Sequence, residues 1–178
     1  MPAASPVGST RRDPRLLWLV AAVLLAARVV LGVVEQRNPP ERPELLMWVD
    51  PVSATELAKR TGKPILYDFT AEWCGPCQKM KQEVFTQQRY AEALEQMVVP
   101  VRLTDRQHEE GRNPPLVDSL QRAYDVSAFP TLVIVSANGK VLDRLEGYPG
   151  AQGVMSWAGA TSGQGRVLKQ KGVKLQFP

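Results

Sequence analysis

The sequence predicts an α/β fold in which helices flank a mixed central sheet and one N-terminal transmembrane helix precedes it. From about residue 46 onward, strand-like and helix-like segments alternate, which is typical of parallel strands joined by helical crossovers. An Asn138-Gly139 pair then joins two strand-like segments, the pattern of an antiparallel hairpin. Before all of these lies an apolar segment of 19 residues, Leu16 to Val34.

The composition limits the chain to one domain of ordinary size with appendages. It has 178 residues, of which 44% are hydrophobic and 22% are charged. The net charge of +4 comes from basic residues spread along the chain, and no nucleic-acid-binding motif accompanies them. We therefore expect no nucleic acid among the partners.

The apolar segment predicts a membrane anchor. At about 1.5 Å per residue it spans roughly 28 Å, close to the hydrocarbon thickness of a bilayer. Its single charge, Arg28, costs less than its leucines and valines contribute. A cleaved signal peptide is the alternative. It is disfavoured because no small-residue cleavage site follows Ala27 and because Arg28 stands where cleavage would occur.

The charged residues beside the anchor predict its orientation. Arg11, Arg12 and Arg15 precede the segment, whereas glutamates dilute the basic residues that follow it. By the positive-inside rule, the N-terminus stays in the cytoplasm. We therefore expect a single-pass protein of the inner (plasma) membrane. Its folded domain then lies on the periplasmic, extracytoplasmic side, where disulfide chemistry is usual.

The predicted domain organisation has five parts. They are a cytoplasmic N-terminal segment (1–15), the transmembrane signal anchor (16–34), a Pro-rich linker (35–45), the folded domain (46–160) and a basic C-terminal tail (161–178). The basic side chains of the tail either are solvated or contact anionic lipid headgroups.

Each element in the first half of the folded domain has its own signal. The first helix is predicted to begin at Ser53, whose capping-box partner is Glu56, and to end at Gly62. The segment PILYDF predicts a buried strand. A helix is then expected from Pro76 to about Leu94, with a break at residues 85–87.

The second half continues the alternation. MVVPVRL predicts a second buried strand, and TDRQHEEGRNPP a long polar loop in which His108 is a solvated surface residue. LVDSLQRAY then predicts a helix. TLVIVSA and KVLDRLEG are expected to form the hairpin, and AQGVMSWAGA the final helix.

The chain has two cysteines, Cys74 and Cys77, and they are predicted to be a reactive pair. A structural zinc site needs four Cys or His ligands, and His108 is the one histidine, so a single chain cannot complete the site and we expect no metal. A zinc site shared between two chains remains an alternative. A structural disulfide is disfavoured because it would close a minimal loop and so constrain the unfolded chain little.

The position of the cysteines favours thiol chemistry. They lie where a buried strand gives way to a helix, and the free N–H groups of a helix N-terminus stabilise a thiolate. Cys74 is therefore the expected nucleophile, and Cys77, one turn into the helix, is placed to attack the mixed disulfide that results. Gly75 keeps bulk away from the nucleophile, and Pro76 suits an early helical position.

The motif DFTAEWCGPC, followed downstream by FPT, resembles the thioredoxin superfamily over about Leu46 to Ala160. The resemblance implies a thioredoxin-like fold, with Cys74 as the attacking cysteine and Cys77 as the resolving one. Three features point to a particular group within the superfamily. They are the segments EVFTQQRYAEAL and VPVRLTD, and a loop before LVDSLQRAY that is longer than in a minimal thioredoxin. They are more similar to the thioredoxin-like domains of membrane-bound thiol:disulfide interchange proteins.

The resemblance also implies roles for four other residues. Asp68 matches the buried acid that manages the proton of the second cysteine, and Trp73 matches the tryptophan that flanks the site. Pro130 matches the cis-proline that faces the disulfide, and substrate backbone is expected to pair with Phe129 beside it. The alternatives are a structural acid at Asp68 and simple packing at Trp73. The cost of burying an acid in an apolar strand favours a functional role for Asp68.

The predicted function is that of a membrane-anchored thiol-disulfide oxidoreductase that reduces disulfides of extracytoplasmic proteins. Gly75 and Pro76 separate the cysteines, and without a histidine there the expected reduction potential lies near that of thioredoxin, about −270 mV. No cofactor is expected beyond the redox-active Cys74–Cys77 disulfide. The expected partners are disulfide-bearing client proteins and a membrane electron-donor protein. The alternatives are a disulfide oxidase or isomerase, and a tethered, chaperone-like client-binding module.

Overall fold

The computed structural model describes residues 14–37 and 42–163, and the chain divides into two compact units after residue 41. Most of the predicted cytoplasmic segment, residues 1–13, lies outside the described residues. So do residues 38–41 of the predicted linker and residues 164–178 of the predicted basic tail.

The first unit contains helix α1, Pro14–Arg37, which is 24 residues long. Large apolar side chains that the structure describes along it are exposed, Leu17 and Val23 among them. No helix in the described part of the chain combines the length and the apolar character that crossing a membrane requires. The anchor predicted for residues 16–34 is therefore not shown by the structure.

The second unit is an α/β domain built from four strands and six α-helices among its described residues, with one π-helical turn. The strands are β1 Ile65–Ala71, β2 Val99–Asp105, β3 Thr131–Val135 and β4 Val141–Glu146. The helices are α2 Pro51–Thr61, α3 Gly75–Met80, α4 Gln88–Met97, α5 Gln107–Glu110, α6 Pro115–Ala123 and α7 Ala151–Thr161; the π-helical turn is Lys81–Phe85.

The sheet is mixed, as the sequence predicts. Its strand order is β2-β1-β3-β4, with β1 parallel to β2 and antiparallel to β3, and with β3 and β4 forming the antiparallel hairpin. The side chains of β1 alternate between two apolar layers. Leu66 faces the layer formed with α4 and α7, whereas Ile65 and Phe69 face the layer formed with α2 and α6. Asp68 lies on the same face as Leu66 and pairs in register with Arg102 of β2.

The start of α2 differs from the prediction. Its N-cap is Asp50, whose side chain accepts a hydrogen bond from the Val52 N–H (2.8 Å), and Pro51 occupies the first turn. Ser53 is already inside the helix, because proline at the first helical position fixes the start before it. The predicted end is confirmed: Gly62 is the C-cap and adopts a left-handed conformation with φ of 71°.

The helix after the cysteines breaks where the sequence predicts, but the cause was not foreseen. The α3 helix continues into the π-helical turn Lys81–Phe85, which closes with the Thr86 N–H donating to the Lys81 carbonyl (3.1 Å). The next helix, α4, then begins at Gln88. The two helical segments meet at residues 86–87, inside the predicted break.

The predicted polar loop contains the short helix α5 and is held by Asp105 at the end of β2. The Asp105 carboxylate accepts hydrogen bonds from the side chains of Asn113 (2.7 Å) and Gln121 (2.9 Å) and from the Gln107 N–H (3.1 Å). Burial raises the pKa of Asp105, but these hydrogen bonds outweigh it and bring the pKa below its ordinary value. The loop therefore has a fixed position beside the end of the sheet.

The last residues of the predicted linker pack on the domain. The Leu45 N–H donates to the Phe85 carbonyl (2.8 Å), and the Val49 N–H donates to the Pro100 carbonyl (2.8 Å). Leu46 is buried, and the ring of Trp48 meets that of Phe85 edge-on at 5.0 Å. The segment from residue 44 onward thus belongs structurally to the domain, two residues before the predicted boundary at 46.

Candidate active site

The two cysteines are joined by a disulfide at the start of α3. The Sγ atoms are 2.04 Å apart and the Cα atoms 5.2 Å. A turn at residues 72–73 follows β1, and the Cys74 N–H donates to the Ala71 carbonyl (3.2 Å). Cys74 is the N-cap of α3, and its Sγ accepts a hydrogen bond from the Cys77 N–H at 3.2 Å. The first sulfur therefore lies where a helix N-terminus supplies a donor to a thiolate.

The exposed surface around the disulfide is formed by residues that the sequence singled out. Cys74 and Cys77 are each 3% exposed, whereas the side chain of Trp73 is 56% exposed. Gly75 and Pro76 are also exposed, and a Cβ added to Gly75 would meet no atom within 4 Å. The protein surface is thus open on the side of the intervening dipeptide.

The Phe129–Pro130 segment completes one side of this surface. The peptide bond between the two residues is cis, as the resemblance implies, and Pro130 is buried. The ring of Phe129 packs on the cluster of Ala71 and the two cysteines. It also meets the Trp73 ring edge-on, with centroids 6.0 Å apart. Trp73 and Phe129 therefore form an aromatic pair beside the disulfide.

His108 is a solvated surface residue, as the sequence predicts, and the structure adds that it lies beside the site. Its side chain is 75% exposed, and its ring centroid lies 6.2 Å from that of Trp73. In the same loop, Arg106 forms an ion pair with Glu72 at 3.5 Å. The unusual length of the loop was the one signal in the sequence that could have indicated this contact.

Asp68 is fully buried beneath the site. Its Oδ2 accepts a hydrogen bond from Arg102 Nε at 3.3 Å, and its Oδ1 has no hydrogen-bond partner among the described residues. Burial raises the pKa of Asp68 to about 6, although the charge and hydrogen bond of Arg102 oppose the rise. An acid with this pKa exchanges protons near neutral pH, as a proton carrier must.

A cavity of about 140 Å³ is lined by both Asp68 and Cys77. Asp68, Cys77 and Arg102 are among its lining residues, together with Lys81 of the π-helical turn. Its size and polar lining allow it to hold water. The two groups thus have a common space through which a proton can pass.

Arg102 joins Asp68 to a second acid that the sequence did not indicate. The Arg102 guanidinium contacts both oxygens of Glu44 (2.6 and 2.7 Å). The arginine within the apolar segment VPVRL could have indicated a buried acidic partner. The sequence around Glu44 does not identify it as that partner, because Glu44 lies in a proline-rich segment typical of a linker. Among the described residues, no three Cys, His, Asp or Glu side chains are grouped so as to hold a metal ion.

Comparison with known proteins gives a consistent set of relatives. The family model of the thioredoxin-like domain matches residues 52–158. The disulfide bond reductase DsbH of Chlamydia pneumoniae is 28% identical over 137 residues, which cover 75% of this chain and 82% of that protein. The thiol:disulfide interchange protein TxlA of Synechococcus elongatus is 26% identical over 141 residues, 79% of this chain and 65% of the relative. A solved structure titled DsbH oxidoreductase superposes with a TM-score of 0.59 at 25% identity, covering 70% of this chain and 90% of the other.

Proposed function

The chain belongs to the thioredoxin-like domain family and is a thiol-disulfide oxidoreductase, and on that premise we propose that it reduces disulfides of proteins outside the cytoplasm. The observation that carries the proposal is the Cys74 sulfur, which caps α3 and accepts the Cys77 N–H beside the exposed ring of Trp73. A sulfur so placed is stabilised as a thiolate and is reached from the surface formed by Trp73 and Gly75.

The proposed reaction is a pair of thiol-disulfide exchanges. The Cys74 thiolate attacks one sulfur of a client disulfide and forms a mixed disulfide, and the other client sulfur leaves as a thiolate that takes up a proton. Cys77 gives its proton to the Asp68 carboxylate, and its sulfur then attacks Cys74 Sγ. The second client sulfur leaves, and the Cys74–Cys77 disulfide remains. Two electrons have passed from the dithiol to the client.

The proton step is assigned to Asp68 because it and Cys77 line the same cavity. A pKa of about 6 leaves Asp68 ionised at neutral pH and ready to accept a proton, and also able to release it afterwards. Cys77 is 3% exposed, so a nearby buried base offers its proton a shorter route than bulk solvent does.

Client binding is assigned to the surface around the disulfide. The exposed Trp73, Gly75 and Pro76 would contact the client on one side. On the other side, client backbone would pair with Phe129, whose side chain packs on the cluster of Ala71 and the two cysteines. Main-chain pairing of this kind is tolerant of sequence, and it suits an enzyme with several clients.

The reductive direction is supported by the dipeptide between the cysteines. Gly75 and Pro76 add no charge beside Cys74. The Cys74 thiolate is therefore stabilised mainly by the helix N-terminus and by the hydrogen bond from the Cys77 N–H. Modest stabilisation of the thiolate leaves the disulfide comparatively stable and the dithiol a good reductant. The Chlamydia relative is named a disulfide bond reductase, which agrees with this direction.

The proposal includes an electron donor and a place in the cell. The dithiol must be regenerated by two electrons from another dithiol, and we assign this step to a membrane electron-donor protein. Residues 16–34 would anchor the chain in the inner membrane with the domain on the periplasmic side. The anchor rests on the apolar sequence of that segment. The exposed apolar side chains of α1 are a surface that lipid would cover.

Trapping of mixed disulfides tests the proposed reaction. In a Cys77→Ser variant of the full chain the resolving sulfur is missing, so clients should stay covalently attached to Cys74 and be released by a reductant. The matched control is Cys74→Ser, which keeps the fold and one cysteine but should trap far less. A tethered binding module would retain the same clients without a covalent bond in both variants, and that result would refute the reductase.

A further inference from the structure

One guanidinium lies between two carboxylates beneath the disulfide. Arg102 Nη1 contacts the two oxygens of Glu44 at 2.6 and 2.7 Å. The contact of Arg102 Nε with Asp68 Oδ2 is longer, at 3.3 Å. The second Asp68 oxygen has no partner among the described residues. Arg102 therefore makes its shorter and more numerous contacts with Glu44.

The position of Arg102 is fixed by more than the two acids. Its guanidinium lies over the Trp48 ring, 4.0 Å from the centroid, and 5.3 Å from that of Phe85. The Trp48 Nε1–H donates to Glu44 Oε2 at 2.7 Å. Glu44 and Trp48 thus both fix the position of the guanidinium. Both residues belong to the segment at the start of the domain, residues 44–49, which is called the entering segment below.

The charges around Asp68 come from several elements. Arg102 is on β2, Glu44 is on the entering segment, and Lys81 of the π-helical turn lies 3.7 Å from Glu44. Cys77 of α3 and Glu72, which follows β1, line the same cavity as Asp68. Glu44 offsets the positive charge that would otherwise be available to Asp68, because the two carboxylates share one guanidinium.

We propose that Glu44 is a positioning residue that draws Arg102 out of a full ion pair with Asp68 and so leaves Asp68 able to exchange a proton with Cys77. Without Glu44, the guanidinium is free to form a two-point contact with Asp68, as arginine does with lone carboxylates. Such a contact would hold Asp68 ionised and make it a weaker base.

The titration properties of the two acids agree with this arrangement. Burial raises the pKa of Asp68 to about 6, with Arg102 opposing the rise and the charge of Glu44 adding to it. Burial also acts to raise the pKa of Glu44, but the hydrogen bonds from Arg102 and Trp48 and the charges of Arg102 and Lys81 bring it below its ordinary value. Glu44 is therefore a constant negative charge over the pH range in which Asp68 titrates.

Carbon-13 NMR of the Asp68 carboxyl, in the full-length oxidised chain in detergent micelles, tests the proposal. In Glu44→Gln the Asp68 midpoint should fall by about one pH unit, because one unshared ion pair replaces a shared one. Glu44→Asp keeps the charge and should retain most of the wild-type midpoint. The matched control is Glu95→Gln. Glu95 Oε1 accepts the Met47 N–H at 2.8 Å and so tethers the same segment without contacting Arg102.

The control variant should leave the Asp68 midpoint unchanged. An unchanged Asp68 midpoint in Glu44→Gln overturns the proposal. An equal fall of the Asp68 midpoint in Glu95→Gln also overturns it, because the effect would then come from loosening the entering segment and not from the contact between Glu44 and Arg102. Glu44→Ala provides a second neutral variant if Glu44→Gln does not fold. Because it also leaves Arg102 to Asp68 alone, the Asp68 midpoint should fall in that variant as well, and no fall would also overturn the proposal.

The inference rests on the proposed proton role of Asp68, but its test does not depend on reductase activity. The titration reports the Asp68 carboxyl itself. It can therefore fail while Cys77→Ser still traps clients, and it can succeed in a protein that traps none.

Discussion

The two cysteines have the same exposure but different hydrogen-bond surroundings. Each is 3% exposed, yet among the residues that the structure describes it is Cys74 Sγ, and not Cys77 Sγ, that accepts a backbone N–H at the start of a helix. In the reduced protein the Cys74 thiol should therefore have a pKa below the ordinary value of about 8.5. At neutral pH we expect Cys74 to react with iodoacetamide at least about tenfold faster than Cys77, since a pKa lower by one unit raises the thiolate fraction about tenfold.

Peptide mass spectrometry of the reduced full chain after timed alkylation measures both rates at once. The Cys74→Ser and Cys77→Ser variants serve as controls, because each reports one thiol alone. Equal rates for the two thiols would remove Cys74 as the nucleophile.

The buried carboxyl of Asp68 links the site to stability. Burial raises its pKa in the folded protein to about 6 from an ordinary 3.8. The stabilising contribution of the protonated form is therefore fully present below about pH 4 and is lost as the pH rises through 6. At pH 8, Asp68→Asn should increase the free energy of unfolding by up to about 3 kcal/mol, while the resolving step of the reaction slows.

Urea denaturation of wild type and Asp68→Asn at pH 8 and pH 4 checks this prediction. The difference between the two proteins should be large at pH 8 and small at pH 4. A variant that is less stable than wild type at pH 8 would mean that Asp68 is a structural acid, the alternative that the sequence left open.

At the scale of secondary-structure elements, the start of α2 is a clear case of competition between two signals. Asp50 caps the helix through a 2.8 Å hydrogen bond to the Val52 N–H, whereas the Ser53 hydroxyl donates to the Asp50 carbonyl at 3.1 Å. Asp50→Ala should therefore lower the free energy of unfolding by about 1 kcal/mol. Ser53→Ala is the matched control and should change it by less than about 0.5 kcal/mol. Urea denaturation measures both changes. A larger loss of stability in Ser53→Ala than in Asp50→Ala would indicate that Ser53 is the N-cap.

The elements themselves could be predicted because their signals are local. Apolar periodicity predicts the strands and helices, Gly62 predicts the end of α2, and Asn138-Gly139 predicts the hairpin. The π-helical turn Lys81–Phe85 could not, since a bond from residue i to i−5 leaves no periodicity of its own over a single turn. The helix within the polar loop was missed because it is four residues long, about one turn, and so leaves no apolar periodicity of its own.

The candidate site was predictable to the extent that it follows the motif. The cysteine pair, Trp73 and the cis bond before Pro130 all stand where the resemblance implies. Glu44 could not be predicted, because its ion pair with Arg102 joins segments that are far apart in sequence. Such a contact is a product of tertiary packing and leaves no pattern in the chain.

At the scale of the whole molecule, the proposed location of the domain depends on the anchor predicted at residues 16–34. If residues 16–34 anchor the chain, a reporter fused after Pro178 should be active only on the far side of the membrane. The mature protein should keep Met1 to Val34 and stay with the membrane after carbonate extraction. Recovery of a shortened, soluble form would favour the signal-peptide alternative.

The most direct test of the reductase assignment is the reduction potential of the Cys74–Cys77 pair, measured in the full chain by equilibration with redox buffers. The dipeptide Gly75-Pro76 leaves the thiolate with modest support, so we expect a value of about −270 mV. Pro76→His, which adds a donor beside Cys74, should raise the potential by tens of millivolts at about 30 mV per 1.4 kcal/mol. A wild-type value near −120 mV, that of a strong oxidant, would contradict the reductase.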